Sequence, residues 1–141
     1  MNNKKLETIQ ITDIAMTRFW ITLKEAQELV LFALEHMEGG ELFIPKAPSM
    51  KVVDLVDCIS PNTKREIVGI RPGEKIHETL LTEEESKNTI DTEKYFVVLP
   101  SFPIWSLDQY KKYAEMGNKI TKPFVFGSDS NSKWLVAETL L

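Results

Sequence analysis

Cysteine is nearly absent. Cys58 stands alone in 141 residues, which excludes an intramolecular disulfide and a thiolate metal cage and fits a reducing cytoplasm. Glycine is scarce as well: there are six, and none forms the Gly-rich turn that presents a helix N-terminus to a pyrophosphate. The longest apolar run, Leu29 to Leu34, is far short of the roughly 20 residues of a membrane helix. The N-terminal MNNKKLETIQ lacks the apolar stretch of a secretion signal. Positive charge is in deficit, with 17 Lys and Arg against 21 Asp and Glu and a net charge of -4. The overall field therefore repels nucleic acid and anionic membrane, and an anionic ligand needs a local basic cluster. What remains, 43% hydrophobic and 27% charged, is the composition of a soluble globular chain, and 1–141 is expected to be a single domain.

Local patterns predict an alternation of strands and helices. ETIQITD reads as a short strand, and Thr22 with Glu25 makes a capping box that opens an amphipathic helix, stopped by Gly39. Glu41 to Ile44 reads as a strand buried on both faces. Ser49 is expected to cap a second helix carrying Val52, Val53, Leu55, Val56 and Ile59, which ends at Pro61-Asn62. REIVGI is a further strand, and the alternation points to an α/β unit whose parallel partners are not all present in the chain. GEKIHETLLTEEE is expected to be helical in two short pieces, the second opened by Thr82 and Glu85. Lys94 to Leu99 reads as a strand, Ser106 to Met116 as a helix capped by Ser106 with Gln109 and stopped by Gly117, Phe124 to Phe126 as a last strand, and KWLVAETLL as a terminal helix.

The stretch Gly69-Ile70-Arg71-Pro72-Gly73-Glu74-Lys75 carries the most chemistry. The proline restricts the residue before it and fixes its own φ, and the glycine admits a turn that other residues adopt only at a cost. Arg71 is thereby pinned beyond a strand end, where α/β sheets bind ligands, with a planar fork of donors suited to phosphate. The alternative is a surface ion pair in a strand-to-helix turn. Arg18, flanked by Met16, Thr17, Phe19 and Trp20, needs an anionic or carbonyl partner, for which Asp13 is an internal candidate. His77-Glu78 opens like a zinc-protease motif, but Leu81 stands where the second histidine is required, and no metal site is expected. His36 reads as a favourable charge at a helix C-terminus. Trp20, Trp105, Trp134, Tyr110 and Tyr113 read as core aromatics.

Taken in order, TDIAMTRFWITLKEA, GGELFIPKAPSMKVVDL and IVGIRPGEKIHE, with SDSNSKWL near the end, resemble the inverting UDP-N-acetylglucosamine 4,6-dehydratases of the extended short-chain dehydrogenase/reductase superfamily. These act in bacterial surface-polysaccharide and pseudaminic acid-type glycan synthesis. The resemblance covers nearly the whole chain and implies an α/β fold, the C-terminal substrate-binding lobe of such an enzyme without its N-terminal Rossmann half. It implies that Arg18 and Arg71 contact the diphosphate of a UDP-sugar, that Glu74 bonds the uridine ribose, and that Ser49 caps a helix near the pocket. It further implies NADP as cofactor of the intact enzyme, the Rossmann half as partner (in the same or a split gene), a homo-oligomer, and a cytoplasmic location.

The sequence departs from that family in two ways. The Gly-rich cofactor turn is missing. So is the Tyr-x-x-x-Lys pair, since Tyr95, Tyr110 and Tyr113 are followed four residues on by Leu99, Ala114 and Gly117. No catalytic and no cofactor-binding residue is therefore assigned, and the chain alone is expected to be inactive. Two other readings stay open: part of a UDP-sugar 4-epimerase of the same superfamily, and a non-catalytic nucleotide-sugar binding or interaction module. Loss of the neighbouring Rossmann sheet would leave the Leu42–Ile44 strand with an apolar edge that invites association.

Overall fold

A computed structural model describes residues 8–102 and 104–136. The chain contains β1 (Thr8–Ile11), β2 (Thr17–Phe19), α1 (Leu23–His36), β3 (Leu42–Pro45), β4 (Ser49–Lys51), α2 (Val52–Ile59) and β5 (Lys64–Ile67). There follow β6 (Thr79–Leu81), α3 (Glu83–Ser86), β7 (Thr89–Asp91), β8 (Tyr95–Val98), α4 (Leu107–Met116), β9 (Asn118–Lys119) and β10 (Phe126–Gly127). These elements gather into two compact units. The first takes in residues through Trp20, Pro48–Glu78 and residues from Ser128 on; the second comprises Ile21–Ala47 and Thr79–Gly127.

In the first unit β1 and β5 pair in parallel, Thr8 opposite Lys64 and Ile11 opposite Ile67, with α2 in the connection between them. The α/β unit expected from the alternation thus finds one parallel partner within the chain. β2 pairs antiparallel with β4, Thr17 opposite Lys51 and Phe19 opposite Ser49. Ser49 is thus not a helix cap. Its N–H donates to Lys133 O at 2.8 Å, its carbonyl accepts from Leu135 N–H at 2.8 Å, and its buried hydroxyl accepts from Asn131 Nδ2 at 3.0 Å. With backbone partners on both sides it is extended, so α2 begins later, after Lys51, with no side-chain cap. The same pairing corrects the expected terminal helix. Trp134 forms a parallel bridge to Ser49 and residues 133–136 are not helical, while 137–141 lie outside the described residues. Long-range pairing here overrides local helix preference.

The second unit is built on a four-stranded antiparallel sheet in the order β3-β8-β7-β9. β3 pairs with β8, Ile44 opposite Phe96, and its other side makes a sheet edge. Leu42 is 51% exposed, so β3 is not buried on both faces. The core gathers Ile90, Val97, Trp105 and Tyr113, with Phe43, Leu99, Tyr110 and Met116 packed against it. Trp105 stacks on Tyr113 at 5.1 Å, a contact worth about 0.5–1.5 kcal/mol beyond area burial. Their polar tips are satisfied by the link between α1 and β3. Trp105 Nε1 donates to Gly39 O at 2.8 Å, and Tyr113 Oη bonds His36 O and Glu41 Oε1, each at 2.8 Å.

The three capping boxes read from sequence, Thr22/Glu25, Thr82/Glu85 and Ser106/Gln109, all form, and α4 ends on Gly117 as expected. The boundaries differ elsewhere. α1 ends at His36 with Met37 as an extended C-cap, ahead of the left-handed Gly39. The first half of GEKIHETLLTEEE is a turn leading into β6, because the chain there is tied to partners distant in sequence. The last strand is Phe126–Gly127. Trp134 remains part-exposed, unlike Trp105 and Tyr113.

Four carboxylates lie below the ordinary glutamate value of 4.5: Glu25 and Glu85 through their capping bonds to Thr22 and Thr82, Glu38 through bonds from Lys112 and Gln109, and Glu41 on balance. For Glu41, burial pushes the carboxyl up, but bonds from Tyr113 and the N–H groups of Glu38 and Gly39 outweigh it. A depressed folded value means stability that is present above pH 4.5 and is lost as pH falls through the lower folded values. The thermal midpoint is expected to fall on acidification below pH 4.5, and Glu41→Gln to blunt that fall. A midpoint that does not move over that range, followed by circular dichroism, contradicts the assignment.

Candidate functional site

The parallel pair β1 and β5 continues one residue past Ile67, where Val68 N–H donates to Ile11 O at 2.9 Å. The chain then leaves the carboxyl end of β5 through Gly69, whose φ is +82°, and enters a turn over Arg71-Pro72-Gly73-Glu74. Glu74 N–H donates to Arg71 O at 3.1 Å. Pro72 suits the second place of this turn, and Gly73 takes the third with φ +87°, the left-handed position that a type II turn demands. Glu74 returns its carboxylate to the turn, accepting from Arg71 N–H at 3.0 Å. Both backbone polar groups of Arg71 are thus satisfied inside the turn. Its guanidinium is exposed and makes no bond or ion pair among the described residues, which leaves out the surface ion pair considered for it.

Arg18 is placed quite differently. Its side chain is 27% exposed. Nη1 donates to Thr17 O at 2.6 Å and Ile76 O at 3.0 Å, Nη2 donates to Lys75 O at 2.8 Å, and Nε faces Glu78 Oε1 at 3.5 Å. Asp13 is not its partner; that carboxylate accepts from Ala15 N–H at 2.7 Å.

Behind Arg18 lies a buried polar node that sequence reasoning missed. Thr17 Oγ1 lies 2.8 Å from His77 Nδ1 and 2.6 Å from Ser128 Oγ. Ser128 Oγ also accepts from Glu78 N–H at 2.9 Å, Ser128 N–H donates to Glu78 O at 2.8 Å, and Thr17 N–H donates to Ile76 O at 3.0 Å. Residues 75–78, immediately after the turn, are thereby bound to β2 and to Ser128. Separations of 60 and 111 positions leave no local pattern in the sequence. The one available signal was the SDSNSKWL stretch, whose small polar residues suit buried bonding as well as a turn. The geometry brings Arg71 and Glu74 together in one turn and ties Arg18 to the segment that follows it. Among the described residues no group of three or more His, Cys, Asp or Glu could hold a metal.

The sequence profile of a family described as "Polysaccharide biosynthesis protein" matches residues 2–100. The chain is 40% identical over 136 residues to a UDP-N-acetylglucosamine 4,6-dehydratase (inverting) of Campylobacter jejuni serotype O:2, a match covering 94% of this chain and 41% of the relative. It is 34% identical over 121 residues to a UDP-glucose 4-epimerase of Rickettsia rickettsii, covering 82% of this chain and 34% of the relative. In structure it is similar to Pen from Bacillus thuringiensis, with a TM-score of 0.80 at 30% identity, over 97% of this chain and 40% of that one. The chain thus spans about two fifths of the length of the dehydratase and of Pen, and the α/β fold is that of part of a larger protein.

Nothing lies within 4 Å of a Cβ built on Gly73, so a side chain there meets a conformational cost alone. Gly73→Ala is expected to destabilise the turn by about 1–2 kcal/mol, read by urea denaturation and by faster amide exchange at Glu74. Gly73→Asn should recover part of the loss. An alanine variant equal to the parent in both readouts contradicts the left-handed assignment.

Proposed function

The chain belongs to the polysaccharide biosynthesis protein family, and from that premise we propose that it is the nucleotide-sugar-binding part of a UDP-N-acetylglucosamine 4,6-dehydratase. We assign it to bacterial surface-polysaccharide or pseudaminic acid-type glycan synthesis. The observation that carries the reading is 40% identity spread over 94% of the chain to an inverting dehydratase. Arg71 supplies the exposed guanidinium for the diphosphate, at the carboxyl end of a parallel strand pair. Glu74 faces the ribose while its second oxygen holds the turn, and Arg18 completes the basic side of the site.

The reaction proposed for the whole enzyme is a net loss of water from the sugar, for which NADP held by the other half would supply the hydride chemistry. The residues described here do not fit that dinucleotide. Three of the four helices close their first turn with their own side chains. The N–H of Val52 at the start of α2 donates to Met16 O at 2.9 Å. No catalytic residue is assigned, and this chain's part is to bind and orient the nucleotide end of the substrate.

The Rossmann half is the proposed partner. α1 has no buried residue, and Leu23, Val30, Leu31, Leu34 and Met37 are exposed along it. That apolar face, with the free edge of β3, is the surface we give to the partner half. No described helix is long and apolar enough to cross a membrane, and the cytoplasm, where nucleotide sugars are made, is the proposed location. The isolated chain is expected to self-associate through the uncovered face, and Leu34→Lys to reduce that association in sedimentation velocity. A monomer at high concentration in both versions contradicts the assignment.

The epimerase reading is favoured by the 34% identity to the Rickettsia enzyme. The products of this chain rejoined to a cofactor domain separate the two: a 4-keto-6-deoxy sugar for the dehydratase, an epimer otherwise. In the same protein, Arg71→Ala is expected to weaken UDP-sugar binding about ten- to a hundredfold, since a charge-assisted bond contributes about 1.5–3 kcal/mol. Arg71→Lys should recover part, and Glu74→Gln should lose less, because an amide oxygen still accepts. Calorimetry that finds the Arg71→Ala affinity unchanged, with a lower melting temperature, makes Arg71 a structural residue and sinks the site.

A further inference from the structure

The protons of the Thr17–His77–Ser128 node can be followed bond by bond. Ser128 Oγ donates to Thr17 O at 3.2 Å and accepts from Glu78 N–H at 2.9 Å. Its one hydrogen is thereby committed, so the hydrogen in the 2.6 Å contact with Thr17 Oγ1 belongs to the threonine. Thr17 then has none left for His77, and the 2.8 Å contact between Thr17 Oγ1 and Nδ1 requires the imidazole to donate. The reverse order, from Ser128 to Thr17 to Nδ1, makes one bond fewer and leaves Ser128 Oγ and Thr17 O facing each other as acceptors. Among buried groups an unmade bond is costly. The bond made by one ring nitrogen decides the state of the other, and here that leaves a lone pair on Nε2 of the neutral ring. Nε2 has no partner among the described residues, and His77 is only half-buried, three residues beyond Glu74.

We propose that Thr17 and Ser128 are positioning residues that hold His77 as its Nδ1–H tautomer, and that His77 Nε2 accepts a hydrogen bond from a hydroxyl of the bound nucleotide sugar. The tautomer stands on the node alone, whereas the ligand rests on the nucleotide-sugar reading. A lone pair on Nε2 repels a phosphate oxyanion and suits an O–H donor, so His77 complements the arginines instead of duplicating them. The ring is also prepared for the task. Thr17 is 3% and Ser128 0% exposed, and the residues either side of His77 are tied through Ile76 O to Thr17 N–H and through the N–H and carbonyl of Glu78 to Ser128. An acceptor fixed in this way gives up little side-chain freedom when ligand binds.

The test uses the full chain in three versions: parent, Ser128→Ala and His77→Asn. Nitrogen shifts of His77 on the alkaline plateau of its titration are expected to show Nδ1 protonated and Nε2 bare, the minor form of an unconstrained imidazole. Ser128→Ala removes the acceptor of the Thr17 hydrogen, which then turns to Nδ1, so the ring is expected to switch to Nε2–H. Amide exchange in β1 and β5 checks that each variant is folded. His77→Asn keeps a donor near the place of Nδ1 and has nothing at Nε2. It is expected to weaken binding of UDP-N-acetylglucosamine about two- to tenfold, the worth of one neutral hydrogen bond. An equal loss for UDP puts the hydroxyl on the ribose, and a loss confined to the UDP-sugar puts it on the hexose. Nε2–H in the parent, or a tautomer that Ser128→Ala leaves unchanged, overturns the positioning role. A folded His77→Asn variant with parental affinity overturns the acceptor role. If the parent binds neither UDP nor the UDP-sugar, the functional reading fails and the acceptor role with it, while the tautomer is decided by the nitrogen shifts.

Discussion

Thr17 and Ser128 are almost fully buried, and their hydroxyls meet at 2.6 Å with His77 Nδ1 2.8 Å from the first. A buried polar group without a partner costs about 1–3 kcal/mol, so each of these three residues constrains where the other two can be. Thr17 lies in β2, His77 just beyond the arginine turn, and Ser128 near the end of the described chain. The node therefore fixes the meeting of three segments that no local propensity would bring together. Arg18 then binds the carbonyls of Lys75 and Ile76, and the turn that presents Arg71 inherits a rigid base.

The division of labour at the site follows from this constraint. Arg71 can expose its whole guanidinium because its backbone is satisfied within the turn by Glu74, leaving the side chain with no structural duty. Arg18 has the opposite arrangement, with its donors turned inward and its charge faced by Glu78. Two arginines that look equivalent as sequence motifs thus differ in their partners for a geometric reason. In the second unit, the stacked Trp105 and Tyr113 fill a core whose polar tips close on the link between α1 and β3. This leaves the apolar face of α1 uncovered in a chain spanning 41% of its dehydratase relative.

What was legible in the sequence was what short-range chemistry decides. The capping boxes at Thr22, Thr82 and Ser106 formed because donor and acceptor lie three residues apart on one chain. The Arg71 turn was legible because Pro72 and Gly73 each restrict or permit a backbone angle by themselves. The α/β character followed from the alternation of strand and helix, but the pairing of β1 with β5 did not, because it joins segments more than fifty residues apart. Ser49 and Trp134 were misread as helical because their fates are set by pairing with each other and with β2. The node of Thr17, His77 and Ser128 was invisible for the same reason, as its hydroxyls and imidazole have no periodicity to betray them. Family resemblance located Arg18, yet the partners of its guanidinium could be read only from the fold.

The central proposal is that the turn headed by Arg71, with Arg18 beside it, is a nucleotide-sugar site. Backbone amide shift mapping of the chain during titration with UDP-N-acetylglucosamine tests it most directly. The account predicts saturable perturbations concentrated on residues 69–78 and on Thr17 and Arg18, with the amides of β7, β8 and α4 unmoved. Perturbations centred on α1 or β8, or none anywhere at millimolar ligand, would contradict it.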